Sequence, residues 1–145
     1  MTAFAQPTLR LTEAEYVTIV GHCYDGLPDE ACGLLIGPMR DGVATGTITE
    51  AWPARNADAS ARTYTVDPKD MLRASRAADA RGDEIVGVWH SHTHTDAYPS
   101  PTDVAQAVDP GWLYVIVSLR DEAPVLRSYR IVDEKIAEVA VVLDR

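Results

Sequence analysis

Tyr16, Ile19, Val20 and Cys23 recur at the spacing that lays apolar side chains along one face of an α-helix. Thr12 and Glu15 stand as a capping box at its start, each able to satisfy a free backbone N–H, with Leu11 and Tyr16 placed as a hydrophobic staple. Gly26 and Pro28 end it. Residues 31–36 form a short, continuously apolar run, which predicts a buried strand. Gly37, Pro38 and the pair Asp41-Gly42 turn the chain into a second strand over about 43–54. A brief extended piece at 63–66 leads to Asp67-Pro68, a cap with proline at the first helical position, and to a helix that runs to about Ala80. Glu84 to His92 is the strongest strand, its centre almost continuously apolar as in strands covered on both faces. A short helix is expected over 100–108, closed by Pro110-Gly111, and strands over 112–119, 125–132 and 136–143 complete the sheet. Helices at separate places among about six strands imply a mixed α/β sheet with helices packed on it.

Composition narrows the reading. The 145 residues suit one domain, 1–145, and the 46% hydrophobic and 24% charged fractions are those of an ordinary globular protein. A formal charge of −9 repels phosphate backbones, and no run of Lys or Arg forms a basic stripe, so nucleic acid is not an expected partner. The sign suits a partner with a basic face. No apolar stretch approaches the roughly 20 residues that span a bilayer, so no membrane partner is expected either. Residues 1–7 lack the charged and apolar regions of a signal peptide. Two cysteines, Cys23 and Cys32, are too few for a disulfide framework; free thiols in a cytoplasmic protein are expected.

The chemistry gathers behind the central strand. His90 and His92 are two apart, so on a strand both imidazoles point to one face and can reach one metal ion. By the same alternation Val86 and Val88 should share that face, and Trp89 and Ser91 the opposite one. Catalytic zinc needs a third protein ligand and leaves a fourth position for water. Asp103 is the natural candidate, brought back by a loop that Pro99 and Pro101 stiffen, on the first turn of a helix beginning at Ser100. Zinc so held would lower the pKa of a water and polarise a substrate carbonyl. A hydrolase also needs a base that is not a ligand. Glu30, just before the 31–36 strand, could stand over the metal if that strand lies beside the histidine strand.

His90-Ser91-His92, seven residues, Ser100, two residues and Asp103 resemble the signature of the JAMM (MPN+) zinc metallopeptidases. Pro28-Asp29-Glu30-Ala31-Cys32-Gly33-Leu34-Leu35-Ile36-Gly37 is similar to their glutamate-bearing strand. The resemblance implies His90, His92 and Asp103 as zinc ligands and Glu30 as the general acid/base. It also implies Ser100 as a donor to the water or the developing oxyanion, on a curved, helix-flanked sheet shared with the zinc deaminases. Deubiquitinating members carry long insertions around the site; here Trp112 lies nine residues after Asp103, leaving no room for one there. Ala97-Tyr98-Pro99-Ser100 and the segment from Leu126 to Asp133 resemble the small bacterial Mec-type members. Those free cysteine, in cysteine biosynthesis, from the C-terminal Gly-Gly of a ubiquitin-like sulfur-carrier protein, which is therefore the expected partner.

Plainer readings exist for most of these residues. Ser100 and Asp103 taken alone are a helix start, and both roles can hold, since a cap also fixes where a ligand points. Glu30 alone would be a solvated charge at a strand edge. His94 shares the ligands' parity, which leaves a spare or alternative ligand as one reading, but it reads better as a surface or supporting residue, and His22 as a boundary residue on the first helix. Cys32 reads as a buried thiol, and Trp89 and Trp112 as core. Competing functions are an isopeptidase acting on protein lysines and a non-catalytic scaffold of the same fold, though scaffolds typically lose the ligands. A zinc deaminase would need His-x-Glu with Pro-Cys-x-x-Cys, which is absent.

Overall fold

The computed structural model describes residues 7–145. All but the last of the residues read above for a signal peptide therefore lie outside the described residues. The chain runs β1 (Leu9–Thr12), α1 (Glu13–Asp25), β2 (Cys32–Gly37), β3 (Met39–Arg40), β4 (Val43–Ala44), β5 (Glu50–Ala54) and α2 (Pro68–Ala80). It continues through β6 (Glu84–His92), α3 (Pro101–Gln106), β7 (Leu113–Ser118), β8 (Val125–Val132), β9 (Lys135–Val139) and β10 (Val141–Asp144).

Six strands form one sheet in the order β5-β2-β6-β7-β8-β9. β6 and β7 are parallel and the other neighbours antiparallel, so the sheet is mixed, as its pattern of helices and strands predicts. Two apolar layers cover its two faces. On one, Ile19 and Cys23 of α1 and Leu9 and Leu11 of β1 meet Leu35, Val86, Trp89 and Val115. On the other, Ala74 and Ala78 of α2 meet Leu34, Ile36, Val88, Ile116 and Tyr129. Burial on both sides explains why 85–89 reads as an unbroken apolar run.

The start signals of α1 and α2 form as expected. Thr12 Oγ1 accepts from Glu15 N–H at 3.1 Å while Glu15 accepts from Thr12 N–H at 2.8 Å. Asp67 caps α2 by accepting from Lys69 N–H, with Pro68 in the first turn.

Four expectations change. The strand expected over 43–54 is two, β4 in a small hairpin with β3 and β5 at the edge of the main sheet, where Pro53 is tolerated because it owes no ladder N–H there. The strand expected over 136–143 breaks at Ala140; β9 closes the main sheet, and β10 pairs in parallel with β1, an element too short to show in the pattern. The helix expected over 100–108 stops at Gln106. Val86 does not share the histidine face. Val86 is itself the extra residue of a bulge in β6, unpaired between Leu35↔Gly87 and Ile36↔Ile85, so it turns into the α1 layer while Ile85 and Val88 face α2.

Beyond the bulge the parity is firm. Trp89, fully buried, lies opposite Gly33 on β2 and donates its indole N–H to Leu34 O at 3.2 Å. A Cβ on Gly33 would collide with the Trp89 ring, so glycine is required here for space and not for turn geometry. Gly33→Ala should therefore destabilise the protein by about 1–3 kcal/mol, the usual cost of overpacking, read as a lower urea midpoint at unchanged slope.

Candidate metal centre

His90 and His92 end β6, and both are almost wholly buried, at 3% and 5% exposed. Their Nε2 atoms face each other at 3.2 Å. Asp103 closes the group from the first turn of α3, its Oδ1 lying 3.2 Å from His90 Nε2 and its Oδ2 3.0 Å from His92 Nε2. Ser100 caps that helix. Its Oγ accepts from Asp103 N–H at 3.0 Å, and Asp103 Oδ2 accepts from Ser100 N–H at 2.9 Å, a second capping box. The helix-start reading of the Ser100–Asp103 spacing holds, and the cap aims the carboxylate at the two imidazoles.

The three side chains fit a metal ion. Their ligand atoms all lie within 4.8 Å of one another. Donors around a tetrahedral zinc with bonds of roughly 2.0–2.1 Å stand about 3.3 Å apart, close to the spacing found here. His92 Nδ1 lies 2.7 Å from Asp96 O, so Nδ1–H donates to that carbonyl, and loss of the Nε2 proton would turn an Nε2 lone pair to a metal ion.

Glu30 stands beside them, because β2 and β6 are neighbours with Cys32 opposite His90. The pairing continues past the strand end: Ser91 N–H donates to Ala31 O at 3.0 Å, and Ala31 N–H donates to Ser91 Oγ at 2.8 Å. Ser91 faces away from the metal group, as expected, and binds the Glu30 segment to the histidine strand. Glu30 itself is buried, so the plain reading of it as a solvated charge does not hold.

The electrostatics follow from burial. Desolvation pushes the Glu30 carboxyl up to about 7, against a smaller pull down from His92, and the Asp103 charge adds to the rise. Asp103 moves the other way: burial opposes its charge, but hydrogen bonds from His90, His92 and Ser100 N–H outweigh burial and hold it below the usual carboxylate range. Burial keeps His90 neutral to lower pH than usual. For His92 burial also pushes down, yet its bonds to Asp103 and the Asp96 carbonyl win, and it rises. Cys32 on the site face and Cys23 beneath Ser91 are free and buried, pushed up to about 12 by desolvation, and remain neutral thiols.

His94 is exposed and outside the group. His22 is a boundary residue, with Nε2 2.9 Å from Ala54 O and its ring edge-on to Trp89. The sequence reading missed Tyr64, whose ring stacks on His90 with centroids 4.2 Å apart and planes 20° apart. It also missed Asn56, which ties the segment carrying Tyr64 to the backbone of Glu30. Neither lies in a periodic element, and contacts of that kind leave no spacing to read.

A family model describing prokaryotic homologs of the JAB domain matches residues 12–132, a span holding every residue of this site. The chain belongs to that family. It is the JAMM family that the histidine and glutamate segments resemble. Over 124 residues the chain is 42% identical to the CysO-cysteine peptidase of Mycobacterium tuberculosis (strain ATCC 25618 / H37Rv), covering 85% of this chain and 82% of that one. Over 106 residues it is 38% identical to a desampylase of Haloferax volcanii, covering 70% and 73%. The solution structure of a protein from Desulfitobacterium hafniense superposes with a TM-score of 0.81 at 31% identity, covering 93% and 92%.

The raised Glu30 carboxyl carries a stability consequence. In the metal-free JAB-family chain its folded pKa lies above the unfolded one, so the folded state holds the proton more tightly between about pH 4.5 and about 7. Stability from this group therefore falls as pH rises through that window, and the full cost is present above it. Glu30→Gln removes the cost. The metal-free variant should exceed the parent chain at pH 8 by up to about 3 kcal/mol, and the gap should close near pH 4.5, as read by urea unfolding at a series of pH values.

Proposed function

We propose that this JAB-family chain is a zinc-dependent peptidase. Its substrate is a ubiquitin-like sulfur-carrier protein, cleaved after the C-terminal Gly-Gly with release of cysteine. The observation that carries the reading is the meeting of two imidazoles, a carboxylate and a separate buried carboxyl of raised pKa at one strand end. The relatives named for CysO-cysteine cleavage and for desampylation support a peptidase acting on conjugates of small carriers. The donor set of two nitrogens and one oxygen favours zinc.

His90, His92 and Asp103 would hold the ion. When bound, zinc supplies a more acidic water and polarises the scissile carbonyl. Glu30 takes a proton from the attacking water and returns it to the leaving amine, and its pKa near neutrality suits both directions. The Ser100 Oγ already accepts the Asp103 N–H, so its O–H remains free to donate to the water or the developing oxyanion. The burial of the histidines suits a tail without side chains, since two glycines let a substrate backbone come close. β6 is paired on both sides, so the tail cannot add to it as a further strand. The formal charge of −9 suits a carrier with a basic face.

The purified chain should carry about one zinc, and His90→Ala or Asp103→Ala should lose most of it. Full zinc in both variants would break the ligand assignment. Incubation with a carrier–Gly-Gly–cysteine adduct should remove one cysteine residue by mass spectrometry, with chelation stopping the reaction and zinc restoring it. Glu30→Gln should keep its zinc and turn over roughly 10²–10⁴-fold more slowly. An intact adduct alongside cleavage of a carrier–lysine isopeptide would move the substrate towards that of the desampylase relative and leave the peptidase assignment standing.

A further inference from the structure

Two imidazoles face the proposed metal position, and they are held in different ways. The His92 ring is fixed through its Nδ1 by the Asp96 carbonyl. Among the described residues, His90 has no hydrogen bond on Nδ1. Its other support is the Tyr64 ring, lying flat against it at 4.2 Å between centroids.

Tyr64 belongs to an irregular segment, residues 56–66, that crosses from β5 towards α2. Asn56 closes that segment at its base and uses every hydrogen-bonding position of its amide. Nδ2 donates to Thr63 O at 3.0 Å and to Glu30 O at 2.9 Å. Oδ1 accepts from Thr65 N–H and from Asp58 N–H, both at 3.0 Å. The amide thus grips the residues on either side of Tyr64. The same segment takes the other backbone group of Glu30, whose N–H donates to Ser60 O at 2.7 Å.

We propose that Asn56 and Tyr64 are positioning residues of the metal centre. Asn56 knots residues 56–66 to the Glu30 backbone, and the knotted segment holds the Tyr64 ring against His90, fixing an imidazole whose Nδ1 has no hydrogen bond to orient it. Stacking does for His90 what the Asp96 carbonyl does for His92. The tyrosine acts through its flat face, not its hydroxyl. The inference rests on the metal-binding part of the proposed function and is independent of the substrate.

The test is zinc affinity, measured by competition with a chromophoric chelator, together with the visible spectrum of the cobalt-substituted chain. Tyr64→Ala should bind zinc about tenfold more weakly or worse, within the 10–100-fold range for residues that orient ligands, and its cobalt bands should shift. Tyr64→Phe keeps the flat face and should stay within about twofold of the parent chain. Tyr64→Leu fills the space without a ring, which protects folding, and should behave like the alanine variant. Asn56→Asp keeps both accepted bonds and loses both donated ones, and should weaken zinc in the same direction as Tyr64→Ala. Circular dichroism melts without metal separate these effects from loss of fold: a purely structural role would lower the melting temperature and leave affinity and spectrum unchanged. Parent-like zinc binding in folded Tyr64→Leu and Asn56→Asp overturns the inference, as does a Tyr64→Phe loss as large as that of Tyr64→Leu. None of these readouts needs a substrate, so a chain that binds zinc and cleaves no carrier adduct still tests it. Failure of the parent chain to bind zinc removes the metal reading and this inference together.

Discussion

The pairing of β2 with β6 is the constraint on which the rest of the site depends. It brings Cys32 opposite His90, and one residue further on the Ser91 side chain and backbone both bond Ala31, so Glu30 arrives beside His92 from a segment 60 residues away in sequence. β6 is held on its other side by the parallel strand β7, from Gly87 to His92. A strand paired along both edges cannot slip by one residue without turning its whole set of side chains over. Trp89 enforces the same choice from the α1 side, because its ring fits only where β2 offers Gly33. The bulge opposite Leu35/Ile36 shows how local that enforcement is: its extra residue, Val86, points into the α1 layer, and beyond it His90 and His92 keep strict alternation.

The polar chemistry then follows from burial against partners. Asp103 and Glu30 are both carboxyls removed from water, yet they shift in opposite directions. Asp103 receives three hydrogen bonds, two from imidazoles and one from the backbone at its own helix start, and stays charged. Glu30 is held through its backbone N–H and carbonyl, and only a smaller pull from His92 opposes the desolvation of its carboxyl. Two carboxyls in one site with separated proton affinities are suited to two tasks, one holding charge and the other moving a proton.

Much of this was legible in the sequence because it rests on short-range rules. The caps at Thr12, Asp67 and Ser100, the apolar run of β6 and the same-face spacing of the histidines are all contained within a few residues. The cluster of His90, His92 and Asp103 needed only that spacing plus a helix start. What stayed hidden depends on partners far apart in the chain. β1 is four residues long and acquires its identity from β10 at the other end of the protein. Val86 is the extra residue of a bulge that exists only through the register of β6 against β2. Asn56 and Tyr64 sit in a segment without period, and their roles exist only through Glu30 and His90. The burial of Glu30 is of the same kind: a glutamate before an apolar run reads as a strand-edge charge until the opposite strand is known.

The connection from β6 to α3 shows why such a site needs little regular structure around it. Three successive carbonyls are taken by side chains from three different strands. Thr95 O accepts from Ser118 Oγ of β7 at 2.6 Å, Asp96 O from His92 of β6, and Ala97 O from the Tyr129 hydroxyl of β8. Arg120, just past β7, holds the Asp96 carboxylate at 2.8 Å. That ion pair is exposed and adds little by itself, but the carbonyl bonds to Tyr129 and His92 are shielded, and each contributes about 1 kcal/mol while fixing one backbone plane. A loop fixed at three consecutive peptide units delivers Ser100 to the start of α3 in one orientation, and the capping box carries that orientation on to the Asp103 carboxylate. The His90, His92 and Asp103 side chains are therefore brought together by the fold itself. An ion bound there would not need to order the loop, so its binding free energy would go into affinity and not into folding the site.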